Sequence, residues 1–233
     1  MRLAVIGDGK MGRAVAALAE ERGWTVTAVL GASRNAGGSG IDRVQLGGPD
    51  VAVEFTEPTA APANIVACAR AGIPVVVGTT GWYVHLDRVA GEVRRLGGGM
   101  LYGANFSLGA HLLSLAAAAM GKLLAARDWD VHVVETHHRA KKDAPSGTAA
   151  VLADEIAAAL GKEVPVTSVR LGHVPGTHEV LFDSLYESLR LVHEVRDRRV
   201  FAVGALVAAE WMRGRAGVYT VKDILLESGR HEF

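Results

Sequence analysis

The first part of the chain alternates short apolar runs with longer segments of helical period. Strands are predicted at residues 3–6, 25–30, 51–55, 75–77 and 100–102, and helices at residues 14–21, 60–71 and 86–95. The predicted strands are apolar along nearly their whole length, as strands buried on both faces should be. Strands that alternate with helices in this way indicate an α/β fold, with a parallel sheet covered by helices on both sides.

The pattern changes near Asn105. Helices are predicted at residues 108–126 and 148–160, and strands at residues 129–137, 166–171, 180–182 and 189–195. In the last of these strands, Leu189, Leu191 and His193 alternate with other residues, which predicts a sheet with one less buried face. This segment therefore reads as an α+β domain. A helix at 201–212 and an apolar tail at 218–226 are expected to pack back on the first domain.

A glycine-rich turn joins the first predicted strand to the first predicted helix. Gly7, Gly9 and Gly12 form a Gly-x-Gly-x-x-Gly motif. The first glycine allows a tight turn, the second lets the backbone approach a pyrophosphate, and the third permits close packing of helix on strand. The motif alone is weak evidence, but its place between a strand and a helix favours dinucleotide binding. The alternative is a glycine-rich turn that binds no nucleotide.

The end of the second predicted strand lacks the acidic residue that usually follows it. Glycine, alanine, Ser33 and Arg34 come after Leu30, and the first carboxylate beyond them is Asp42. A carboxylate at this place binds the ribose 2′-hydroxyl of NAD and repels the 2′-phosphate of NADP. Because Ser33 and Arg34 can instead hydrogen-bond a phosphate, we expect NADPH to be used at least as well as NADH. The alternative is that Arg34 points into solvent.

The densest cluster of ionisable residues lies between the strand at 129–137 and the helix at 148–160. It runs Glu-Thr-His-His-Arg-Ala-Lys-Lys-Asp-Ala-Pro-Ser-Gly-Thr-Ala from Glu135 to Ala149. Ser146 is a natural helix N-cap. A capped helix N-terminus beside Lys141 and Lys142 is a suitable site for a carboxylate. The neighbouring histidines and lysine can supply a proton to a carbon that is being reduced.

Two alternatives compete for this cluster. The adjacent His137 and His138 suggest a metal site, but no third ligand lies at a recognisable spacing, so no metal is expected. A solvated basic loop with an ordinary cap is the other alternative, and it accounts poorly for all of these residues together. Cys68 is the single cysteine, so it excludes an intramolecular disulfide, and we expect it to fill the core.

Composition narrows the class of protein further. The chain has 233 residues, of which 49% are hydrophobic and 21% charged, and its formal net charge is zero. No overall charge therefore draws it to nucleic acid or to an anionic membrane. No apolar stretch has the length of a membrane span, and the N-terminus does not have the pattern of a signal peptide. We expect a cytoplasmic protein that binds neither nucleic acid nor membrane.

The ionisable cluster resembles the signature of the 4-hydroxy-tetrahydrodipicolinate reductase family, whose older name is dihydrodipicolinate reductase. The match is Glu-x-His-His-x-x-Lys-x-Asp-x-Pro-Ser-Gly-Thr-Ala, and it is specific. Weaker matches extend over essentially the whole chain, at residues 7–13, 54–58, 78–81, 104–107, 170–178 and 217–219. The loop at 31–48 is short for the family, and this departure leaves the signature intact.

The resemblance implies reduction of 4-hydroxy-tetrahydrodipicolinate, after loss of water, to tetrahydrodipicolinate in lysine and diaminopimelate biosynthesis. The implied cofactor is NADPH and/or NADH, and the substrate is a small cyclic dicarboxylate. The implied fold is a Rossmann-type nucleotide-binding domain, residues 1–104 plus 208–233, with an inserted α+β domain, residues 105–207, that binds substrate and forms a homotetramer. The alternatives are a related amine or amino-acid dehydrogenase and a nucleotide-sensing module without turnover.

The resemblance also implies roles for individual residues. His137 is the expected proton donor or acceptor and Lys141 the expected proton donor. His138, Gly147 and Thr148 are expected to bind substrate together with the cap residue Ser146. The residues expected to bind the cofactor, from the resemblance and from the two loops described above, are Gly7, Asp8, Gly9, Lys10, Met11, Gly12, Ser33, Arg34, Gly78, Thr79, Thr80, Ala104, Asn105, Phe106 and Ser107.

Overall fold

The structure, a computed structural model, describes residues 1–228 and separates into two compact units. The first unit contains Met1–Phe106 and the chain from Arg199 onward, and the second contains Ser107–Arg198. The first unit is therefore built from two separate stretches of the chain, whereas the second is continuous. Residues 229–233 of the predicted nucleotide-binding domain lie outside the described residues.

Strands and helices follow one another in the order that the apolar pattern predicts as far as Met212, and the predicted apolar tail at 218–226 forms a strand followed by a helix. The strands are β1 (Arg2–Ile6), β2 (Thr25–Leu30), β3 (Val51–Glu54), β4 (Val75–Val77), β5 (Gly99–Tyr102), β6 (Asp130–His137), β7 (Val166–Arg170), β8 (Thr177–Asp183), β9 (Ser188–Glu194) and β10 (Gly217–Thr220). The helices are α1 (Lys10–Glu21), α2 (Ala61–Arg70), α3 (Leu86–Arg95), α4 (Leu108–Leu124), α5 (Gly147–Leu160), α6 (Arg199–Met212) and α7 (Val221–Ser228). Short 3-10 turns lie at Ala32–Arg34, Ala36–Gly38 and Tyr83–His85.

The first unit contains a six-stranded parallel sheet in the order β10-β5-β4-β3-β1-β2. Helices α1 and α6 pack together in one layer, and α2 and α3 pack together in another. All residues of β3 and β4 are buried. Strands covered on both faces have no exposed positions to fill with polar residues, which explains their continuous apolar runs. The Rossmann-type fold that the sequence predicts is confirmed.

Helix α6 and strand β10 complete the first unit. Strand β10 extends the sheet by pairing with β5, from Gly217 opposite Gly99 to Thr220 opposite Tyr102. Helix α6 packs on β3, β4 and β5. The predicted domain boundary at 207/208 would cut this helix, whereas in the structure the whole helix belongs to the first unit. Its buried residues, most of them small, extend from Ala202 to Met212 at its end, so the helix packs as one element.

The second unit is a four-stranded mixed sheet in the order β7-β6-β8-β9, with α4 and α5 packed side by side against it. Along β6, buried and partly exposed residues alternate. Val131 and Val133 face the helices and join the apolar core, which includes Leu152 and Ile156 of α5. On the opposite face, Val192 of β9 is 58% exposed. The sheet thus has one buried and one more open face, as the alternation in the last predicted strand indicates.

Candidate active site

The predicted cofactor-binding loops of the first unit leave the same edge of its sheet. Because the strands are parallel, the loops that follow β1, β4 and β5 all begin at the carboxyl edge. Strand β1 lies between β2 and β3, so the strand order of the sheet changes direction at β1. Open α/β sheets bind their ligands at such a point. These loops contain Gly7, Asp8, Gly9, Gly78, Thr79, Thr80, Ala104, Asn105 and Phe106, and the first turn of α1 adds Lys10, Met11 and Gly12.

The start of α1 has the shape that a pyrophosphate requires. Gly9 is the N-cap residue, and no side chain caps the helix. A Cβ on Gly9 would meet nothing within 4 Å, whereas a Cβ on Gly12 would lie 1.9 Å from the carbonyl oxygen of Gly7. The turn is therefore closed on its inner side and open above Gly9. An uncapped helix N-terminus with open space above it fits a phosphate group.

Ser33 and Arg34 lie on the exposed 3-10 turn after β2. The Arg34 guanidinium donates from Nη2 to the Val29 carbonyl oxygen at 2.8 Å, so it folds back along the end of β2. The loop is anchored one residue later, where Nδ2 of Asn35 donates to Oδ1 of Asn64 on α2 at 2.8 Å. Sequence reasoning assigned no role to either asparagine, because the contact joins distant parts of the chain.

A buried polar chain continues from Asn64 to the end of β3. Nδ2 of Asn64 donates to Oε1 of Glu54 at 3.2 Å, and Thr56 also donates to this oxygen. Burial raises the pKa of Glu54, and the hydrogen bonds from Thr56, Thr79 and Asn64 oppose this effect in part. The backbone N–H of Thr56 donates to Oγ1 of Thr79 at 2.7 Å. Thr79 thus holds the loop after β3 with its side chain.

In the second unit, the side chain of Glu135 is the centre of a buried polar cluster. Its Oε1 accepts from Nη2 of Arg170 at 2.7 Å and from the backbone N–H of Ser146 at 3.3 Å, and its Oε2 accepts from Nδ1 of His137. Burial alone would raise the pKa of Glu135, but hydrogen bonds from Arg170, Ser168 and His137 lower it to about 2. The carboxylate is therefore ionised although Glu135 is completely buried.

The imidazole of His137 has one orientation defined by this carboxylate. Because Nδ1 donates to Glu135, Nε2 is the nitrogen that can accept or release a proton. Burial lowers the pKa of His137, and the hydrogen bond to Glu135 opposes this shift in part. Nε2 lies beside Gly176, where a Cβ would come within 3.0 Å of it. The ring is thus neutral near neutral pH, with its Nε2 against a residue that has no side chain.

The start of α5 is capped as the sequence predicts. Oγ of Ser146 accepts from the backbone N–H of Ala149 at 3.2 Å. Nζ of Lys141 lies 2.8 Å from Oδ1 and 2.9 Å from Oδ2 of Asp143. Hydrogen bonds to this carboxylate from Lys141 and from the backbone of Gly147 lower the pKa of Asp143. Lys141 therefore binds a carboxylate in the loop that leads into the helix start.

The other residues expected to bind substrate lie in the same loop and helix turn. Gly147 is exposed, and a Cβ there would meet nothing within 4 Å. Thr148 is half-buried in the first turn of α5. His138 is also half-buried, and its carbonyl oxygen accepts from the backbone N–H of Lys141 at 3.1 Å. This hydrogen bond closes a turn that brings the lysine back toward the strand end.

Two further histidines form a row with Glu135 across the sheet. Glu135, His178 and His193 are paired in register on β6, β8 and β9. Nε2 of His178 lies 3.2 Å from Oγ of Ser146, and Nε2 of His193 lies 3.1 Å from Oγ of Ser107. These serines are the N-caps of α5 and α4. The histidine row therefore holds both helix starts against the sheet.

This row includes residues that sequence reasoning did not single out. Ser107 was expected to bind the cofactor, and the structure places its hydroxyl in the second unit, fully buried and bonded to His193. Glu135, Arg170 and His178 had no assigned role. The sequence feature that could have identified Glu135 is its position on the buried face of the alternating strand β6. Within residues 1–228, no group of three or more His, Cys, Asp or Glu side chains is arranged to hold a metal ion.

Two family models together cover nearly the whole chain. The model described as dihydrodipicolinate reductase, N-terminus, matches residues 1–106, and the one described as dihydrodipicolinate reductase, C-terminus, matches residues 109–225. The chain belongs to the dihydrodipicolinate reductase family. It is an oxidoreductase of the reduction step in lysine and diaminopimelate biosynthesis, and the family implies a nicotinamide cofactor. None of the helices in the described part has the length and apolarity needed to cross a membrane.

Relatives of this family align with both units. A 4-hydroxy-tetrahydrodipicolinate reductase of Christiangramia forsetii is 32% identical over 238 residues, which cover 97% of this chain and 98% of the relative. One of Rhodopseudomonas palustris (strain BisA53) is 36% identical over 267 residues, covering 97% and 96%. The fold is similar to the dipicolinate-bound dihydrodipicolinate reductase from Paenisporosarcina sp. TG-14, with a TM-score of 0.80 at 21% identity over 94% of this chain and 97% of the other.

Acid is expected to destabilise the second unit because His178 must then accept a proton. Burial, together with the nearby His137 and His193, lowers the pKa of His178 from 6.5 to about 4. Between these values the unfolded chain binds more protons than the folded one. The free energy of unfolding should therefore fall as the pH decreases through this range, by up to roughly 3 kcal/mol.

Urea denaturation of wild type and His178→Gln, at neutral pH and at about pH 4.5, measures this loss. The variant should lose less stability than wild type, because glutamine keeps a donor for Ser146 and does not titrate. His173→Gln, which changes an exposed histidine, is the matched control and should behave like wild type. An equal loss in His178→Gln would contradict this explanation.

Proposed function

We propose that the second unit binds a cyclic dicarboxylate at the start of α5, and that its reduction uses Lys141 as the proton donor and His137 as a proton acceptor and donor. The observation that carries this proposal is the ion pair of the Lys141 ammonium with the Asp143 carboxylate in the loop before α5, next to the open backbone of Gly147. A substrate carboxylate in the place of that side chain would meet the same ammonium beside the N-terminus of a helix. The dipicolinate bound to the Paenisporosarcina reductase is a ligand of this class.

The remaining substrate contacts follow from the geometry of the loop. Gly147 leaves open space at the helix start, so a ring can approach the backbone there. Thr148 can donate a hydrogen bond from its hydroxyl, and His138 can do so from its imidazole. Ser146 has its hydroxyl occupied by the N–H of Ala149 and by His178. Its role in substrate binding is therefore to hold the helix start in position.

Reduction of the substrate double bond adds a hydride to one atom and a proton to another. A nicotinamide cofactor, held by the glycine turn and by Gly78–Thr80 in the first unit, supplies the hydride when bound. Glu135 keeps Nδ1 of His137 as a donor, so this histidine moves protons at Nε2. Lys141 offers a proton at Nζ while it holds the carboxylate. Lys141 can thus act as the general acid, and the neutral His137 can accept a proton at Nε2 and pass it on within the same loop.

Both NADPH and NADH are proposed as cofactors. The exposed turn after β2 carries Ser33 and Arg34, which offer a hydroxyl and a guanidinium near the end of the strand. A guanidinium is suited to a 2′-phosphate because its planar set of donors matches the phosphate oxygens. The hydrogen bond of Arg34 to Val29 is made to a backbone oxygen at an exposed site, so the side chain can exchange this partner for a phosphate.

Loss of either proposed proton-transfer residue should slow the chemical step. Lys141→Ala and His137→Ala are each expected to lower kcat by about 10²–10⁴-fold, the usual contribution of a general acid. Lys142→Ala, the matched control at the adjacent exposed lysine, should leave kcat near that of wild type. The rate is measured as oxidation of NADPH or NADH while a dihydrodipicolinate synthase supplies fresh substrate.

Two results of this assay would contradict the proposal. If both variants keep nearly the wild-type kcat, the loop is a solvated basic segment. If folded wild type oxidises neither cofactor when substrate is supplied, the assigned reaction itself is wrong.

We further propose that the open face of the second sheet joins copies of the chain in a homotetramer. Val169 of β7 and Val192 of β9 lie on this face and are 37% and 58% exposed. Apolar residues exposed on a sheet face are typical of a surface that another chain covers. A twofold symmetric contact places the same face of two copies against each other.

Val192→Glu should therefore reduce the assembled mass, because it places a charge in the proposed interface. Val84→Glu is the matched control, since Val84 is 86% exposed on a 3-10 turn of the first unit. Light scattering coupled to size-exclusion chromatography measures both masses. A monomeric wild type, or equal dissociation of both variants, would show that this face is not the interface.

A further inference from the structure

A carboxylate lies at the end of β2 although no acidic residue follows that strand. It belongs to Asp8, the second residue of the glycine motif, whose side chain lies against Gly31. A Cβ on Gly31 would be 2.6 Å from Oδ2 of Asp8 and 2.9 Å from its Cγ. Any side chain at position 31 would therefore displace this carboxylate. Gly31 leaves the space that Asp8 fills.

Backbone hydrogen bonds hold the loop in this place. The N–H of Gly7 donates to the carbonyl oxygen of Leu30 at 2.9 Å, which ties the residue before Asp8 to the end of β2. Nε of Arg13 donates to the carbonyl oxygen of Asp8 at 2.7 Å. Asp8 is exposed, so a ligand at the glycine turn can reach its carboxylate oxygens.

We propose that Asp8 recognises the adenosine ribose of the cofactor in place of the acidic residue missing after β2. A carboxylate at this strand end accepts a hydrogen bond from the ribose 2′-hydroxyl and repels a 2′-phosphate. Asp8 brings the same charge to the same strand end from the neighbouring β1 loop. Its negative charge thereby weakens the binding of NADPH, whereas the positive charge of Arg34 strengthens it. The inference rests on the proposed binding of the cofactor at the glycine turn.

The proposal implies that the aspartate at position 8 and the glycine at position 31 can exchange places. The backbone of Gly31 is extended, with φ −82° and ψ 166°, a conformation that any residue adopts. Its lack of a side chain is therefore explained by the adjacent carboxylate and not by its backbone angles. A carboxylate moved from position 8 to position 31 should reach the ribose from the end of β2, where Rossmann domains that bind NAD usually carry it.

The test compares the dissociation constants of NADH and NADPH, measured by calorimetry on the full chain. Asp8→Asn keeps the size of the side chain and removes its charge. It should shift the ratio of the two constants toward NADPH by about tenfold or more, the scale of a hydrogen bond to a charged group. Glu20→Gln, a matched control at an exposed position of α1, removes one negative charge and should leave the ratio unchanged.

The double variant Asp8→Gly with Gly31→Asp should return the ratio to that of wild type. Restoration would support the inference, because a general effect of charge or stability would not be reversed by moving the carboxylate. If Asp8→Asn leaves the ratio unchanged while wild type still binds NADH, the role of Asp8 is refuted and the cofactor site stands. If wild type binds neither cofactor, the proposed site at the glycine turn is itself refuted.

Discussion

The candidate active site depends on the charge of Glu135, which has no contact with water. A buried carboxylate must be compensated by donors from the protein. Arg170, His137 and the backbone of Ser146 provide them, from β7, from β6 and from the start of α5. The hydrogen bonds that compensate this one charge therefore also fix the positions of the imidazole, the guanidinium and the helix N-terminus. Removal of one partner would leave an uncompensated charge at a cost of about 3–5 kcal/mol, so the arrangement is rigidly specified.

In the proposed function both units use a helix start to bind an anion, and the difference between the two starts suits the two ligands. Helix α1 begins at Gly9 without a side-chain cap and with open space above it, as a pyrophosphate requires. Helix α5 begins at Ser146, whose hydroxyl satisfies one N–H and leaves the N–H of Gly147 for a carboxylate. Lys141 then adds the charge that a carboxylate needs. The same backbone feature is therefore proposed to serve a cofactor in one unit and a substrate in the other.

Local patterns predicted most of the fold, and contacts between distant strands account for what they missed. The apolar runs placed five of the six strands of the parallel sheet, all but β10, and the Ser146 cap followed from a few adjacent residues. The roles of Glu135 and His178 depend on the register between β6 and β8, which no local pattern reveals. Similarly, the carboxylate missing after β2 is supplied by Asp8, and its contact with Gly31 exists only because β1 and β2 are neighbours.

The orientation of His137 by Glu135 can be measured directly from the ¹⁵N chemical shifts of the imidazole nitrogens, with His137→Gln used to assign the signals. At neutral pH the His137 ring should be uncharged with its proton on Nδ1, and it should titrate below 6.5, because burial lowers its pKa. Glu135→Gln should abolish the preference for Nδ1. A wild-type ring that carries its proton on Nε2, or that is charged at neutral pH, would contradict the role assigned to the buried carboxylate.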